Sequence, residues 1–190
     1  EAMRPLGLVL VPTRELAIQV AEVLQPVADH AGMKVLPVYG GASRNHQVDE
    51  MAKGVEIVVA TPLRLIDLIK SNEINLDDVQ IVTLDEADRM ADDGFTPQVE
   101  WSLRHCVNRN QTMLFSATLD GDLIRAYQTN PETVAIDEAT DTVGEMSHLF
   151  LGVHHMDRDK VIATIAKGIP KIIVFCQTKR LCDKVDQELH

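Results

Sequence analysis

The sequence predicts an α/β fold built around a parallel β-sheet. Short apolar runs alternate with helical patterns along the 190-residue chain, as they do where strands are joined by crossover helices. Polar residues follow some of these runs directly, which is expected where parallel strands end together at one edge of a sheet. A hydrophobic fraction of 45% is sufficient for a buried core, and a charged fraction of 25% is ordinary for a globular domain.

Strands and helices alternate in order through the first block of the chain. The strands are apolar runs bounded by turn residues, predicted at 6–12, 33–39, 55–60, 79–85, 111–116 and 132–136. The helices have apolar residues at helical spacing and are predicted at 14–30, 43–53, 63–70, 96–106 and 120–129. Pro26 lies inside the first helix, where its missing amide predicts a kink or an interruption.

An acidic segment without apolar periodicity separates this block from a second one. We predict that residues 138–146 form a linker between a first domain, 1–137, and the start of a second domain, 147–190. The second block has predicted strands at 148–154 and 171–176, and predicted helices at 158–167 and 179–189. Two strands are too few for a sheet with its own core. We therefore expect the second domain to be truncated and the chain to come from the middle of a larger protein.

Composition narrows the class of protein. No apolar run approaches the roughly 20 residues needed to span a bilayer, and no secretory signal opens the chain, so we expect a cytoplasmic protein. Cys106, Cys176 and Cys182 are widely spaced and odd in number. They predict neither a disulfide framework nor a zinc site.

The net charge of -11 argues against a broad basic surface for nucleic acid. The charge is uneven, because residues 147–190 hold seven basic and five acidic residues, which leaves 11 basic and 24 acidic residues in 1–146. Any nucleic-acid site on the first part must therefore be local. It would consist of backbone amides, helix N-termini and a few arginines.

The most informative motif is the apolar run Val79–Asp88, which ends in adjacent carboxylates. Such a strand suits a nucleoside triphosphatase, because Asp85 could hold Mg²⁺ through its water shell while Glu86 orients or deprotonates the attacking water. Surface acidic pairs and helix N-caps use the same residue types, so the motif alone leaves those alternatives open. A second predicted strand ends in Ser116 and Thr118, which places two hydroxyls at the same edge of the sheet. The two motifs together favour the catalytic interpretation.

At this point the chain closely resembles the DEAD-box family of ATP-dependent RNA helicases. Further segments in the family's order carry the resemblance across essentially the whole chain. They are Pro12-Thr13-Arg14-Glu15-Leu16-Ala17, Gly40-Gly41, Thr61-Pro62-Leu63-Arg64-Leu65 and Ile172-Ile173-Val174-Phe175-Cys176-Gln177-Thr178-Lys179.

The resemblance implies a RecA-like fold of the P-loop NTPase type and an RNA-stimulated ATPase. The first RecA-like domain would lack its N-terminal phosphate loop, because GxxxxGK[ST] occurs nowhere in the sequence. The linker and a partial second RecA-like domain would follow. By the same resemblance, ATP and RNA would close two domains and separate short duplexes, and hydrolysis would release the RNA. The 190 residues alone would be inactive.

For the nucleotide, the resemblance implies a role for each motif residue. Asp85 would bind Mg²⁺ through water, and Glu86 would position the hydrolytic water beside ATP. Asp88 would tie this turn to Ser116 and Thr118, a segment that couples the nucleotide state to domain closure. An ST-turn or helix cap at Ser116 and Thr118 is the structural alternative.

For RNA, the resemblance implies sequence-independent contacts to the backbone. The residues concerned are Pro12, Thr13, Arg14, Gly40, Gly41, Thr61, Pro62, Arg64, Gln177 and Thr178. Each set also has a purely structural explanation: a cap and helix start at Thr13, a plain turn at the two glycines, and a polar cap at Thr178. Protein partners are not indicated.

Leu63 departs from the family pattern, which has glycine between the proline and the arginine. Its side chain would either obstruct a close phosphate approach or fill a pocket against its own helix. Two other functions stay open. One is a related DNA helicase or translocase, and the other is a non-enzymatic RNA-binding scaffold built on a degenerate helicase domain.

Overall fold

A computed structural model describes residues 2–118, 121–134, 147 and 149–189. The chain divides into two compact units, residues 1–133 and 134–190. The proposed linker, 138–146, lies outside the described residues. Where described, no helix is both long enough and apolar enough to cross a membrane.

The first unit contains a five-stranded, fully parallel sheet, as the sequence predicts. Its strands are β1 (Gly7–Leu10), β2 (Val35–Val38), β3 (Ile57–Ala60), β4 (Ile81–Leu84) and β5 (Gln111–Leu114). They lie in the order β2-β3-β1-β4-β5. This order puts β1 at the centre and separates the ends of β2 and β3 from those of β4 and β5.

Six helices accompany these strands among the described residues of the first unit. They are α1 (Arg14–His30), α2 (Arg44–Ala52), α3 (Pro62–Lys70), α4 (Ala87–Asp92), α5 (Thr96–Arg104) and α6 (Gly121–Tyr127). Five agree with the predicted helices to within about two residues, and α4 was not predicted. The short α4 follows the acidic motif directly, so the strand, turn and helix at this point occupy only twelve residues, 81–92.

The core lies on both faces of the sheet, as is usual for parallel strands. On one face, Leu8 and Leu10 of β1 belong to a cluster that includes Leu65 of α3 and Val99 of α5. On the other face, Val9 packs in a second cluster with three alanines of α1, which are Ala17, Ala21 and Ala28. Alternate residues of β1 therefore serve opposite faces, because successive side chains of a strand point in opposite directions.

An interruption of α1 at Pro26 and a strand at the first residues of the predicted segment 132–136 are not found in the structure. The helix α1 continues past Pro26 to His30 without interruption. Pro26 is exposed and lies only four residues before the end of the helix, so its ring points away from the core and few hydrogen bonds follow the one that it removes. The predicted strand at 132–136 is not formed by its described residues 132–134, which are exposed.

The second unit contains two helices in its described residues, α7 (Arg158–Ala166) and α8 (Lys179–Leu189). Asp159 of α7 is buried and forms an ion pair with Lys184 of α8. The strands predicted at 148–154 and 171–176 are absent from the described residues. Ile173 and Phe175 are 81% and 93% exposed. The physical reason is that a strand requires a hydrogen-bonded neighbour, and the apolar run alone does not provide one.

Candidate functional site

The ends of the five strands are level, which brings the candidate segments to one edge of the sheet. Leu10 of β1 pairs with Ala60 of β3 and with Leu84 of β4. Val38 of β2 and Leu114 of β5 continue this row outward. Each candidate segment in the first unit follows one of these five residues, so the polar residues share the carboxyl edge. That edge is where open α/β sheets bind ligands.

Backbone hydrogen bonds extend the sheet into the acidic turn. The amide of Asp85 donates to the carbonyl of Leu10 at 3.0 Å, and the amide of Ala87 donates to the carbonyl of Phe115 at 3.1 Å. Oδ1 of Asp85 accepts from the amide of Glu86 at 2.9 Å. These contacts fix the turn between the central strand β1 and the last strand β5. Asp85 and Glu86 are both partly exposed there.

Glu86 occupies the left-handed region of backbone space, with φ 49° and ψ 49°. A non-glycine residue in this conformation is uncommon and strained, and such residues cluster at functional sites. Glu86 precedes α4, yet its side chain makes no capping hydrogen bond. Instead, Oε2 of Glu86 accepts from the guanidinium of Arg89 at 3.2 Å. The side chain of Glu86 therefore does not cap α4, which was the structural alternative for the acidic motif.

Asp88 connects the acidic turn to the hydroxyl segment. Its Oδ2 accepts from the amide and the hydroxyl of Thr118, at 3.1 and 3.0 Å. Ser116 accepts from the amide of Asp88 at 3.3 Å and donates to the carbonyl of Thr118 at 2.7 Å. The structure thus brings together the three residues that the resemblance grouped. In this local contact the hydroxyl of Ser116 donates to a carbonyl, whereas the hydroxyl of an ST-turn accepts from an amide, so the contact is not the ST-turn of the structural alternative.

These hydrogen bonds change the acidity of Asp88. Partial desolvation raises the pKa of its carboxyl, but the amides of Arg89 and Thr118 and the hydroxyls of Thr118 and Ser116 together hold that pKa below its ordinary value. Asp88 is therefore ionised at neutral pH, because hydrogen bonds to a carboxylate favour the charged form.

On the other side of β1, Thr13 and Arg14 open the helix α1. The hydroxyl of Thr13 accepts from the amide of Leu16 at 3.2 Å, which is an N-cap. Arg14 forms an exposed pair with Glu15 at 3.2 Å. A terminal nitrogen of Arg14 would lie 3.8 Å from a Cβ at Gly41. The β1 and β2 candidate segments therefore lie side by side.

Gly41 has a positive φ of 83°, and Gly40 has open space around it. Arg64 of α3 reaches this turn and donates to the carbonyl of Ala42 at 3.4 Å. Arg64 also donates to Oε1 of Gln47 at 3.1 Å. Gln47 is a residue that sequence reasoning missed. The available signal was its position four residues before the buried Met51, on the core-facing side of α2.

The segment Thr61-Pro62-Leu63 begins α3 at the end of β3. The amide of Thr61 donates to the carbonyl of Val38 at 2.9 Å, and Pro62 occupies the first turn of the helix. Leu63 is 55% exposed, whereas Leu65 and Leu68 of the same helix are fully buried. The idea that Leu63 fills a core pocket is therefore wrong. Leu63 lies on the surface of the candidate edge.

Gln177 and Thr178 belong to the second unit. The hydroxyl of Thr178 accepts from the amide of Leu181 at 3.3 Å at the start of α8. The polar-cap explanation therefore applies to Thr178. An N-cap does not by itself exclude a ligand at the remaining amides of a helix N-terminus.

The acidic turn has a chemistry that fits Mg²⁺ together with a nucleotide. Mg²⁺ usually keeps several waters and takes one or two carboxylates, with phosphate oxygens completing its shell. Asp85 and Glu86 supply two partly exposed carboxylates at this edge. The described part of the chain contains no group of three or more His, Cys, Asp or Glu that could hold a metal ion.

Comparisons with known proteins agree with this geometry. A family model described as DEAD/DEAH box helicase matches residues 1–126. The chain is 35% identical to the ATP-dependent RNA helicase RhlB of Proteus mirabilis, and 97% of the chain aligns with 44% of that protein. It is 37% identical to the DEAD-box ATP-dependent RNA helicase CshA of Bacillus licheniformis, and again 97% of the chain aligns, with 39% of that protein. The chain therefore spans less than half the length of these relatives.

The fold has a counterpart among solved structures. A hypothetical ATP-dependent RNA helicase from Sulfolobus tokodaii aligns with a TM-score of 0.63 and 38% identity, over 67% of this chain and 39% of that one. The five-stranded parallel sheet with its helices is accordingly the sheet of a RecA-like helicase domain.

Proposed function

The chain belongs to the DEAD/DEAH box helicase family, and on this basis we propose that it supplies ATP- and RNA-binding surfaces of an ATP-dependent RNA helicase. ATP binding and hydrolysis would be coupled to local separation of RNA duplexes or to the remodelling of RNA–protein complexes. The observation that carries the proposal is the shared edge, at which the acidic turn and the hydroxyl segment lie on one side of β1 and the glycine turn and α3 lie on the other.

On the nucleotide side, Asp85 would hold Mg²⁺ through water, and Mg²⁺ would neutralise charge on the ATP phosphates. Glu86 would orient the attacking water and accept its proton. The left-handed backbone of Glu86 supports this role, because strained backbone conformations cluster at functional sites. Asp88 would transmit the state of this turn to Thr118 through the hydrogen bonds of its Oδ2, and to Ser116 through its backbone amide.

On the RNA side, backbone amides and a few side chains would bind phosphates and sugars. Thr13, Arg14 and the turn at Gly40 and Gly41 support this role, because Arg14 lies beside Gly41 in an otherwise acidic unit. Pro62 and Thr61 would contribute the start of α3. Contacts of this kind carry no base information, so binding would be independent of sequence. Gln177 and Thr178 would contribute from the second unit.

The decisive experiment is Glu86→Gln in a full-length helicase that contains this chain. Removing a positioned acid-base group should slow ATP hydrolysis by about two to four decades while nucleotide binding is retained. The measurements are phosphate release with and without RNA, and binding of a fluorescent ATP analogue. Glu22→Gln, at an exposed position of α1, is the matched control. Equal turnover in the Glu86 variant and the parent would remove Glu86 from the mechanism. Phosphate release by the parent that stays at background with and without RNA would favour a non-enzymatic scaffold.

We further propose that the 190 residues alone do not hydrolyse ATP. The sequence contains no GxxxxGK[ST] loop to hold the β- and γ-phosphates. Phosphate release from the purified chain should therefore equal background with or without RNA. RNA-stimulated release above background would refute this proposal.

A further inference from the structure

The side chain of Gln47 is buried in α2, with 4% of the residue exposed. A buried amide is expected to make hydrogen bonds, because leaving its groups unpaired costs free energy. Nε2 of Gln47 donates to the carbonyl of Tyr39 at 3.1 Å, and Oε1 accepts from Arg64 at 3.1 Å. Both ends of the amide are therefore used. Neither partner belongs to α2, so this glutamine joins three segments of the chain.

Arg64 completes the arrangement from α3. One terminal nitrogen of its guanidinium donates to Gln47, and the other donates to the carbonyl of Ala42 at 3.4 Å. The two carbonyls that receive these hydrogen bonds, at Tyr39 and Ala42, lie on either side of Gly40 and Gly41. Gln47 and Arg64 thus hold the glycine turn at both of its ends. We call these two residues the turn clamp.

We propose that Gln47 is a positioning residue for RNA binding, and that the turn clamp holds the Gly40-Gly41 backbone in the conformation that meets the RNA phosphate. This inference deepens the proposed function and rests on it. Two adjacent glycines have more conformational freedom than any other dipeptide, and Gly41 already has a φ of 83°. Ordering such a turn only on binding would weaken affinity, whereas a turn that is fixed beforehand avoids that cost.

The clamp also gives Arg64 a function besides direct phosphate contact. Its guanidinium already donates to an amide oxygen and to a carbonyl within the protein. A phosphate contact would have to use its remaining N–H groups. When Arg64 is replaced, part of the loss in RNA affinity should therefore come from the lost hydrogen bond to Gln47.

The test is a double-mutant cycle in a full-length helicase that contains this chain. Gln47→Met removes both hydrogen bonds of Gln47 at similar side-chain length, and Arg64→Met removes the partner guanidinium. The readouts are the Kd for a fluorescein-labelled single-stranded RNA with a non-hydrolysable ATP analogue present, and the Kd for that analogue without RNA. Gln25→Met, at the surface of α1, is the control.

We expect Gln47→Met to raise the Kd for RNA about 5- to 30-fold, which corresponds to the loss of one or two buried hydrogen bonds. The Kd for the nucleotide should stay unchanged, because the clamp lies on the other side of β1. The double variant should bind RNA no worse than the weaker-binding single variant. If the increases in RNA Kd of the two single variants multiply in the double variant, the two residues act independently and the inference is overturned. An unchanged RNA Kd in Gln47→Met would overturn it as well.

Two further outcomes are informative. If Gln47→Met does not fold, Gln47→Glu takes its place, because it keeps the acceptor for Arg64 but loses the donor to Tyr39. An unchanged RNA Kd in Gln47→Glu would then overturn the inference. If Arg64→Met leaves RNA binding unchanged, the proposed RNA surface itself is wrong and the inference fails with it. An effect of Arg64→Met without an effect of Gln47→Met would overturn only the positioning role.

Discussion

Replacing Asp88 with asparagine should break the link between the acidic turn and the hydroxyl segment. Asp88 uses both carboxylate oxygens: Oδ1 accepts from the amide of Arg89 at 2.9 Å, and Oδ2 accepts twice from Thr118. Asparagine has one acceptor oxygen and one NH₂ group. In either orientation the NH₂ group faces a backbone N–H, so at least one hydrogen bond is lost and two donors oppose one another.

The size of the effect follows from these contacts. A hydrogen bond to a charged group contributes about 1.5–3 kcal/mol, and partial exposure reduces this to about 1 kcal/mol. In a unit of this size, the loss should lower Tm by about 3–5 °C. Urea unfolding followed by the fluorescence of Trp101, the only tryptophan in the sequence, measures the change in free energy of unfolding. Asp92→Asn, an exposed carboxyl of the same helix α4, is the matched control.

The effect should also depend on pH with a defined sign. The folded-state pKa of Asp88 is lowered from its ordinary value of 3.8. Its stabilisation is therefore complete above that ordinary pKa and is lost as the pH falls through the lower, folded-state pKa. The difference between parent and Asp88→Asn should be full at about pH 7 and should shrink toward about pH 3. Equal unfolding midpoints of parent, Asp88→Asn and Asp92→Asn at neutral pH would refute the reasoning.

Two further predictions concern the linker and Leu63. A protease specific for glutamate should first cut the chain within residues 138–146, because this acidic segment lacks apolar periodicity and separates two blocks. Preferential cutting within residues 1–136 would mean that the domain boundary is elsewhere. In a full-length helicase with an ATP analogue present, Leu63→Gly should tighten single-stranded RNA binding, because it removes an exposed apolar side chain from the start of α3, where a phosphate would approach the backbone. A lower Tm without any gain in RNA affinity, measured beside Leu6→Gly as a second exposed leucine, would contradict the obstruction by Leu63.

Local patterns were sufficient for most elements of the first unit. The helix α1 begins and ends where the sequence predicts, because the Thr13 cap and the spacing of its apolar residues are both local signals. The apolar runs of β1 to β5 were recognised for the same reason. The interruption predicted at Pro26 is not found, although proline removes one hydrogen bond from a helix. The apolar face of α1 packs on the sheet, and this stabilisation by tertiary packing is not visible in the local sequence.

The strands predicted at 148–154 and 171–176 show the limit of pattern reading. Their apolar residues have strand-like composition, yet the described ones form no strand. A strand is completed by hydrogen bonds to another segment, whereas a helix such as α8 satisfies its backbone internally. This difference explains why α7 and α8 formed as predicted, whereas the neighbouring predicted strands did not form in the described residues.

The sequence by itself determined the order of elements in the first unit, the parallel sheet and the residue types that carry the chemistry, because helical spacing, apolar runs and short motifs are properties of neighbouring residues. Only the tertiary structure decided the strand order β2-β3-β1-β4-β5, which separates the acidic turn from the glycine turn. The structure also gave the geometry by which Asp88 meets Thr118, a contact that the resemblance had implied, and it alone showed that Gln47 meets Tyr39 and Arg64. Such contacts join residues 8 to 30 positions apart in the chain, and they depend on how helices and strands pack together.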